Sequence, residues 1–323
     1  MLHGFSRQAA QFSITENLSS DPANQNSYFA DPAPFLLGIL SAKPDPEPDG
    51  GNIKTLAAYL QRIGYNGDVK CDLETLTQIH RLHLLNIPYE NVDVQLQHPL
   101  DLDIDRIYEK IVISRRGGWC YEMNGLLEWV LQEIGFEVKR VNGGVARSIR
   151  GDASMGNHLV LLVRLDQTYI ADVGFGDGSF DPFPLTEGPF EQRGFNFRLE
   201  ILADGYWRFH NHENGGAPSF DFKEDPADEQ LFADQCQYLQ TSEESPFVMA
   251  FIAQQCVSSG YEVQLGRLAR TIRPGGVEAR VLETEAEFVE RMQGTFRLNI
   301  PEVSKLWSGI LDRHEEIFSD KDL

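Results

Sequence analysis

Long apolar runs and basic residues are both scarce in this 323-residue sequence. No stretch reaches the roughly 18 apolar residues that a transmembrane helix needs, so no membrane span is expected. The 28 Lys and Arg against 49 Asp and Glu give a formal net charge of −21. This charge disfavours nonspecific binding to nucleic acid or to an anionic membrane surface. The first residues lack a charged leader followed by an apolar run, so no signal peptide is expected.

Cysteine is also scarce. The chain has four, none in a CxxC pair, and this is too few for a disulfide framework in a chain of this length. We therefore expect free thiols and a cytoplasmic, reducing location. The positions are Cys71, Cys120, Cys236 and Cys256.

Motifs for common cofactors are missing. The sequence contains no Walker loop, no GxGxxG and no HExxH, so nucleotide and zinc sites of those kinds have no support. His80 and His83 have a helical spacing that can bind a metal, but no Cys, Asp or Glu supplies an obvious second half. We expect no metal, and for His83 either a place at the core edge or a supporting position behind the site.

The patterns that are present predict an α+β fold in segments. Residues 1–50 are rich in Pro, Asp, Asn and Gly and are expected to form a poorly ordered extension, apart from the apolar stretch 35–40. Residues 51–135 have helical periodicity. Residues 136–245 form short strand-like runs separated by turns, as in a barrel or sandwich. Residues 246–323 mix strands and closing helices.

Individual elements can be placed within these segments. One helix should end at Gly64 and another should begin after an N-cap at Asp72. A third is expected over "DIDRIYEKIVIS" and a fourth from Cys120 to Ile134, with Gly135 as its C′ residue. Predicted strands are "FEVKRVNGGVARS", "NHLVLLVRL", "TYIADVGFG", "FNFRLEIL", "GYWRFHN", "YEVQLG", "LARTIRP" and "GVEARVLE".

Cys120 has the sequence setting of a nucleophile. It opens the predicted helix, where unpaired N–H groups and the helix dipole favour a thiolate and lower its pKa. The same N–H groups can stabilise an oxyanion. Gly117 and Gly118 permit unusual backbone angles and leave room for a substrate. The alternative is a small apolar residue at a helix start.

His158 and Asp172 are candidates for the base and its orienting group. His158 opens one apolar strand and Asp172 lies in the next predicted strand. Polar side chains within apolar strands are costly unless they are paired, and these two can pair. A tight hairpin at Asp166–Gln167 would not set them opposite each other, so another strand arrangement is required. Each residue alone could instead be a satisfied polar group in the core.

These residues carry a family resemblance. "RRGGWCYEMN" resembles the RGGxCxE signature of the arylamine N-acetyltransferases, and "IPYENVD" (87–93) resembles their IPFEN segment. "HLVLLV" and "ADVGFGDG" resemble the histidine and aspartate strands of the family. "SPFV" (245–248) and "FRLNIPE" (296–302) resemble its later landmarks, so the match extends over about residues 52–315.

The resemblance implies three domains, an N-terminal helical bundle, a central β-barrel and a C-terminal α/β lid, with a papain-like Cys-His-Asp triad. It implies ping-pong acetyl transfer from acetyl-CoA, the cosubstrate, to arylamines, arylhydrazines or N-hydroxyarylamines, as in xenobiotic metabolism. Cys120 would carry the acetyl group, His158 would take the amine proton and Asp172 would orient the imidazole.

Further site residues follow from the same resemblance. Phe175 would line the acceptor pocket, although it could equally be barrel core. Tyr121 and Val145 are additional pocket candidates, and Gly176 would bring backbone near CoA.

The resemblance also assigns a supporting pair. Arg116 and Glu90 would brace the site through a buried Arg–carboxylate fork, the alternative being a surface ion pair of little consequence.

Three other functions stay open on the sequence. A papain- or transglutaminase-type thiol hydrolase shares the Cys–His–Asp order. A binding module could keep the fold without activity. An intramolecular amide synthase of the same family would close a ring within one large substrate. The sequence does not fix the acyl donor, the physiological acceptor or whether the protein is a monomer or a homo-oligomer.

Overall fold

The computed structural model of the protein describes residues 54–317. The extension predicted over residues 1–50, with its apolar stretch 35–40, lies outside these residues. Within the described range, no helix combines the length and the apolarity that crossing a bilayer requires.

The first part of the described chain is helical. Its helix boundaries follow the predicted signals, because Gly64 ends the first helix with a φ of 74° and the Asp72 side chain accepts a hydrogen bond from the Thr75 amide at the start of the second. The third predicted helix changes into a π-helical turn over Glu109–Ile113. The elements are α1 (Leu56–Ile63), α2 (Leu73–Asn86), β1 (Tyr89–Glu90), α3 (Val92–Gln95), α4 (Ile104–Tyr108) and α5 (Cys120–Ile134).

An eight-stranded antiparallel sheet follows, in the order β5-β4-β3-β2-β9-β8-β7-β6. The sheet curls, since the rings of Phe183 in β5 and Phe190 in β6 stack with centroids 4.6 Å apart although these strands are its two ends. Its strands are β2 (Glu137–Val145), β3 (His158–Arg164), β4 (Thr168–Ile170), β5 (Phe183–Pro184), β6 (Gly188–Gln192), β7 (Phe195–Ile201), β8 (Trp207–His210) and β9 (Ser219–Phe222).

Further helices follow β2 and β9. Between β2 and β3 lie α6 (Arg147–Arg150) and a 3₁₀ turn (Gly151–Ser154), and after β9 come α7 (Glu229–Thr241) and α8 (Pro246–Met249). The sequence did not predict α7, since only three of its thirteen residues are buried and its periodicity is correspondingly weak. The three are Phe232, Cys236 and Leu239.

A second antiparallel sheet has the order β1-β10-β11-β12-β13. Its last four strands come from the C-terminal segment, but β1 comes from the helical one, with Tyr89 opposite Gln254 and Glu90 opposite Ala253. The remaining elements are β10 (Ile252–Val257), β11 (Gly260–Leu265), β12 (Leu268–Arg273), β13 (Gly276–Val281), α9 (Glu285–Gly294), a 3₁₀ turn (Val303–Lys305) and α10 (Leu306–Ile317). The predicted domain boundaries near residues 135 and 245 stay predictions.

Candidate active site

Cys120 is the first residue of α5, as the sequence predicts. The turn in front of it packs directly on β1, where the Glu90 amide donates to the Gly118 carbonyl (3.0 Å) and the Gly118 amide donates to Pro88 (3.3 Å). A Cβ at Gly117 would lie 2.2 Å from the Pro88 carbonyl oxygen. Gly117 therefore allows two backbone segments to touch, and the room for substrate expected at these glycines stays a prediction.

The Cys120 thiol is buried, with 3% of the residue exposed, and its Sγ lies 3.7 Å from the Asn157 carbonyl oxygen. Burial raises the pKa of this thiol well above its ordinary value, and the neighbouring Cys236 and Asp172 raise it further. The Tyr121 backbone N–H lowers it, but by less. The lowered pKa predicted from the helix start alone is therefore wrong, because desolvation outweighs the helix amides. Cys120 needs a proton acceptor to ionise.

His158 and Asp172 are in direct contact. Nε2 of His158 lies 2.7 Å from Oδ2 of Asp172, and both side chains are buried. His158 opens β3 as predicted, but β4 ends at Ile170, so Asp172 lies in the following loop and not in the strand. The β3–β4 register pairs Leu162 with Ile170 and would, if continued, set Asp172 opposite Val160. Leaving the strand is what brings the carboxylate to the imidazole.

Asn124 completes this arrangement, and the sequence reasoning missed it. Its Nδ2 lies 2.7 Å from both Oδ1 of Asp172 and the Leu159 carbonyl oxygen, and its Oδ1 accepts from the Val173 amide at 2.8 Å. Asn124 is four residues after Cys120, hence on the same face of α5. That spacing is the signal that would have identified it.

The charge state of Asp172 is set by these partners. Burial by itself raises the pKa of its carboxyl group. The charge of His158 and hydrogen bonds from His158, Asn124 and the Gly174 amide outweigh burial and hold the pKa below its usual value. Asp172 is thus a buried carboxylate that fixes one ring nitrogen of His158.

Phe175 borders this pair. Its ring centroid lies 5.6 Å from that of His158 and 5.0 Å from that of Phe220, and the side chain is partly buried. The next residue, Gly176, has a φ of 86°, and a Cβ there would meet Oε1 of Gln254 at 1.8 Å. An aromatic surface beside the imidazole and a close backbone contact are therefore adjacent in the chain.

Tyr121 and Val145 contact the loop that precedes His158. The Tyr121 hydroxyl donates to the Gly156 carbonyl (2.6 Å), and its ring packs on Trp119. The Val145 amide donates to Oδ1 of Asn157 (2.8 Å). Both residues thus hold the loop that leads into His158. Tyr121 is almost fully buried, and Val145 is half-buried.

Glu90 of β1 and Arg116 of the turn before Cys120 form an ion pair. Nη2 and Nε of Arg116 lie 2.9 Å and 3.2 Å from the same Glu90 oxygen, Oε1, while Oε2 accepts from the Val92 amide at 2.7 Å. The geometry is thus single-oxygen rather than the two-oxygen fork expected. The Glu90 side chain is fully buried and that of Arg116 is 19% exposed, so this is not a surface pair.

No group of three or more His, Cys, Asp or Glu side chains in the described chain is arranged to hold a metal ion. His80 and His83 are both buried and have other partners: Nδ1 of His80 lies 3.1 Å from the Phe180 carbonyl oxygen, and Nδ1 of His83 lies 2.9 Å from the Tyr59 hydroxyl. His83 is thus in the core rather than at its edge.

Known proteins share both sequence and fold with this chain. A family model described as N-acetyltransferase matches residues 72–304. The arylamine N-acetyltransferase of Mycolicibacterium smegmatis is 32% identical over 257 residues, which are 77% of this chain and 94% of that protein. Human arylamine N-acetyltransferase 1 is 38% identical over 158 residues, 47% of this chain and 54% of that protein.

Solved structures of the same kind superpose on the described fold. The arylamine N-acetyltransferase of M. tuberculosis has a TM-score of 0.73 at 28% identity, covering 79% of this chain and 99% of its own. The Mycobacterium marinum enzyme in complex with CoA has a TM-score of 0.72 at 27% identity, covering 81% of this chain and 99% of its own. The sequence and the fold together show that this chain belongs to the arylamine N-acetyltransferases, a family of acyltransferases.

Proposed function

We propose that the protein transfers an acetyl group from acetyl-CoA to an aromatic amine or hydrazine by a ping-pong mechanism through an acetyl-Cys120 intermediate. The observation that carries this proposal is the buried 2.7 Å contact between His158 and Asp172 beside the helix that begins at Cys120. Membership in the family and the CoA complex of the M. marinum relative support the donor.

In the first half-reaction the Cys120 thiol loses its proton to His158. Because Nε2 is hydrogen-bonded to Asp172, Nδ1 is the ring nitrogen with the free lone pair, and it accepts this proton. The thiolate attacks the thioester carbonyl carbon, and the tetrahedral oxyanion collapses by breaking the bond to the CoA sulfur. His158 returns the proton to the CoA thiolate. One thioester replaces another of similar stability, so the acetyl-enzyme is a reversible carrier.

In the second half-reaction the amine nitrogen attacks the acetyl carbon on Cys120. His158 takes a proton from the amine, the C–S bond breaks, and the Cys120 thiolate recovers a proton. Asp172 stabilises the imidazolium in both half-reactions and holds its orientation. Its lowered pKa keeps it ionised throughout the neutral range.

Other residues take roles around this triad. Phe175 presents an aromatic surface to an aryl acceptor beside His158. Tyr121 and Val145 shape the pocket through the loop that they hold, and Gly176 lets the backbone approach CoA. Arg116 and Glu90 brace the turn before Cys120.

On this account the chain divides into a helical bundle to residue 135, a barrel to residue 245 and an α/β lid, and it acts in the cytoplasm on foreign aromatic compounds. Longer or malonyl acyl-CoA donors are compatible with the same three residues, and an intramolecular amide synthase would use them as well. Profiling of acyl-CoA donors and of amines, hydrazines and N-hydroxyarylamines tests the substrate range.

A test of the transferase reaction follows free CoA. Acetyl-CoA alone should release about one equivalent per Cys120 and then slow, whereas an added aromatic hydrazine should sustain the release. Sustained release without an amine, together with peptide cleavage, would instead identify a thiol hydrolase. A Cys120→Ala variant that kept activity and acyl labelling would exclude this nucleophile, whereas a wild-type chain with neither CoA release nor acyl labelling would favour a binding module.

A further inference from the structure

Five ionisable side chains form a buried cluster under the turn that precedes Cys120. The turn cluster has three carboxylates and two cations, and its members are at most 19% exposed. Isolated buried charges are costly, so a group of this kind persists only where the charges compensate one another. The members are Glu90, Asp93, Lys110, Arg116 and Glu122.

Lys110 is central to the turn cluster. Its Nζ lies 2.8 Å and 2.9 Å from the two Glu122 oxygens and 2.7 Å from Oδ2 of Asp93. It projects from the π-helical turn, a rare local geometry that often marks functional sites. Its own carbonyl oxygen accepts from the Arg116 amide at 3.0 Å. Lys110 therefore contacts α3, α5 and the turn between them.

Glu122 links Lys110 to the start of the helix that carries Cys120. It is the third residue of α5, and its Oε2 accepts from the Trp119 amide at 3.2 Å. Trp119 precedes the helix and has no side-chain oxygen to act as an N-cap, so Glu122 satisfies a free backbone donor directly before Cys120. A Cβ at Gly118 would lie 2.9 Å from Cβ of Glu122, which shows how tightly the carboxylate side chain is enclosed.

We propose that Lys110 is a positioning residue for the nucleophile: its ammonium, held between Asp93 and Glu122, keeps the Glu122 carboxylate on the Trp119 amide and so fixes the start of the helix that carries the Cys120 thiol. The proposal deepens, and in that sense rests on, the acyl transfer proposed above.

The charges explain why a cation is needed here. Burial raises the pKa of the Glu122 carboxyl, and Lys110 is the main group that opposes this. Without the ammonium, the Glu122 carboxylate would be an uncompensated buried charge next to the start of α5. Glu122, Asp172 and Cys236 all raise the pKa of the Cys120 thiol, so an uncompensated Glu122 would raise it further.

The partners of the neighbouring charged groups determine which contacts are lost when Lys110 is removed. Glu90 and Arg116 lie beside Lys110 and keep their own ion pair in its absence. Asp93 would retain Arg116 (3.1 Å) and His98 (3.3 Å) as partners. Glu122 would be the carboxylate that loses both of its contacts to Nζ. Removal of Lys110 should therefore act mainly through Glu122.

The test is the pH dependence of Cys120 alkylation by iodoacetamide, followed by peptide-resolved mass spectrometry so that the other thiols do not contribute. In Lys110→Met the midpoint should move to higher pH by about one unit. At a given pH below the midpoint, Cys120 should then be alkylated about tenfold more slowly than in the wild type. In Lys110→Arg the midpoint should lie close to that of the wild type. Glu122→Gln, which keeps an oxygen acceptor but removes the charge, should move the midpoint to lower pH.

Arg291→Met is the matched control, because it breaks the ion pair to Glu262 (3.2 Å) in the C-terminal part of the chain. It should lower thermal stability without moving the midpoint. If Lys110→Met also lost stability with an unmoved midpoint, Lys110 would be merely structural and the proposal wrong. If Lys110→Met did not fold, an unmoved or raised midpoint in Glu122→Gln would overturn it.

Acyl labelling by acetyl-CoA, measured on the same variants, separates this proposal from the proposed function. Labelling of the wild-type chain that falls about tenfold in Lys110→Met at neutral pH supports both. Absence of labelling in the wild type would contradict the acyl transfer, while the alkylation midpoints would still decide the role of Lys110.

Discussion

Nε2 of His158 lies 2.7 Å from Oδ2 of Asp172, although the strand register would not set the two residues opposite each other. The contact exists because the chain leaves β4 after Ile170, and Asn124 then binds the other carboxylate oxygen. A carboxylate held from two sides fixes the imidazole ring, and in the proposed mechanism this ring takes the proton of the buried Cys120 thiol.

Replacement of Asp172 by Asn should lower kcat/KM for acetyl transfer by about 10³–10⁴-fold, as expected when the orienting carboxylate of a catalytic triad is lost. The amide is similar in size but cannot stabilise an imidazolium. Steady-state assays with acetyl-CoA and an aromatic hydrazine measure this. Asp166→Asn, in the exposed β3–β4 turn, is the control and should keep normal activity. Equal activity of the two variants would remove Asp172 from the mechanism.

Acid should destabilise the protein partly through Asp172. Because the folded-state pKa of this carboxyl is lowered, its contribution to stability is present above its unfolded pKa of about 3.9 and is lost as the pH falls through the folded value. The free energy of unfolding, measured in urea at several pH values below 6, should therefore fall less steeply in Asp172→Asn. Parallel curves for the two proteins would show that the carboxyl is not coupled to folding.

Phe175→Leu should impair the second half-reaction more than the first. Loss of the aromatic surface should reduce kcat/KM for an aryl acceptor about tenfold, in line with the value of an aromatic pair, while acetylation of Cys120 changes by less than about threefold. Rapid-quench mass spectrometry separates the two steps. Phe190→Leu is the control, because its ring stacks on Phe183 and Phe197 instead of His158. Equal losses in both steps would place Phe175 in the barrel core rather than in the acceptor pocket.

Gly176→Ala should destabilise the protein more than Gly205→Ala. Both glycines have a φ above 80°, which costs a substituted alanine about 1–2 kcal/mol, but only at Gly176 would the new methyl group meet another side chain, that of Gln254. Urea unfolding should show an additional loss of about 1–3 kcal/mol there. Adding Gln254→Ala should recover part of it. Equal losses at the two glycines would contradict the close contact.

Local signals predicted much of the helical part of the site. The apolar spacing and Gly135 define α5, and Cys120 is its first residue. The strand that His158 opens also follows its apolar run. These elements depend on neighbours in the sequence, so the sequence contains their signals. The position of Asp172 depends instead on where β4 ends and on its contact with Asn124. The spacing from Cys120 marks Asn124 but does not show which residue it binds.

The features of the site that the sequence did not predict depend on packing between distant parts of the chain. The helix amides lower the pKa of the Cys120 thiol, and this effect was predictable from the sequence. The net change in the pKa is nevertheless upward, because other elements bury the thiol, and the sequence of one helix does not show that burial. The same holds for Lys110, whose contacts with Asp93 and Glu122 join residues 12 to 17 positions away. The partner of β1 lies more than 160 residues further along the chain, at Gln254 and Ala253.

One covalent acetyl group on one thiol defines the proposed reaction, and the intact mass of the protein after incubation with acetyl-CoA measures it. We expect a shift of one acetyl group that is absent in Cys120→Ala, present in the control Cys71→Ser with its exposed thiol, and discharged by an aromatic hydrazine. An unchanged wild-type mass under rapid quenching, or an acetyl group that persists in Cys120→Ala, would contradict it.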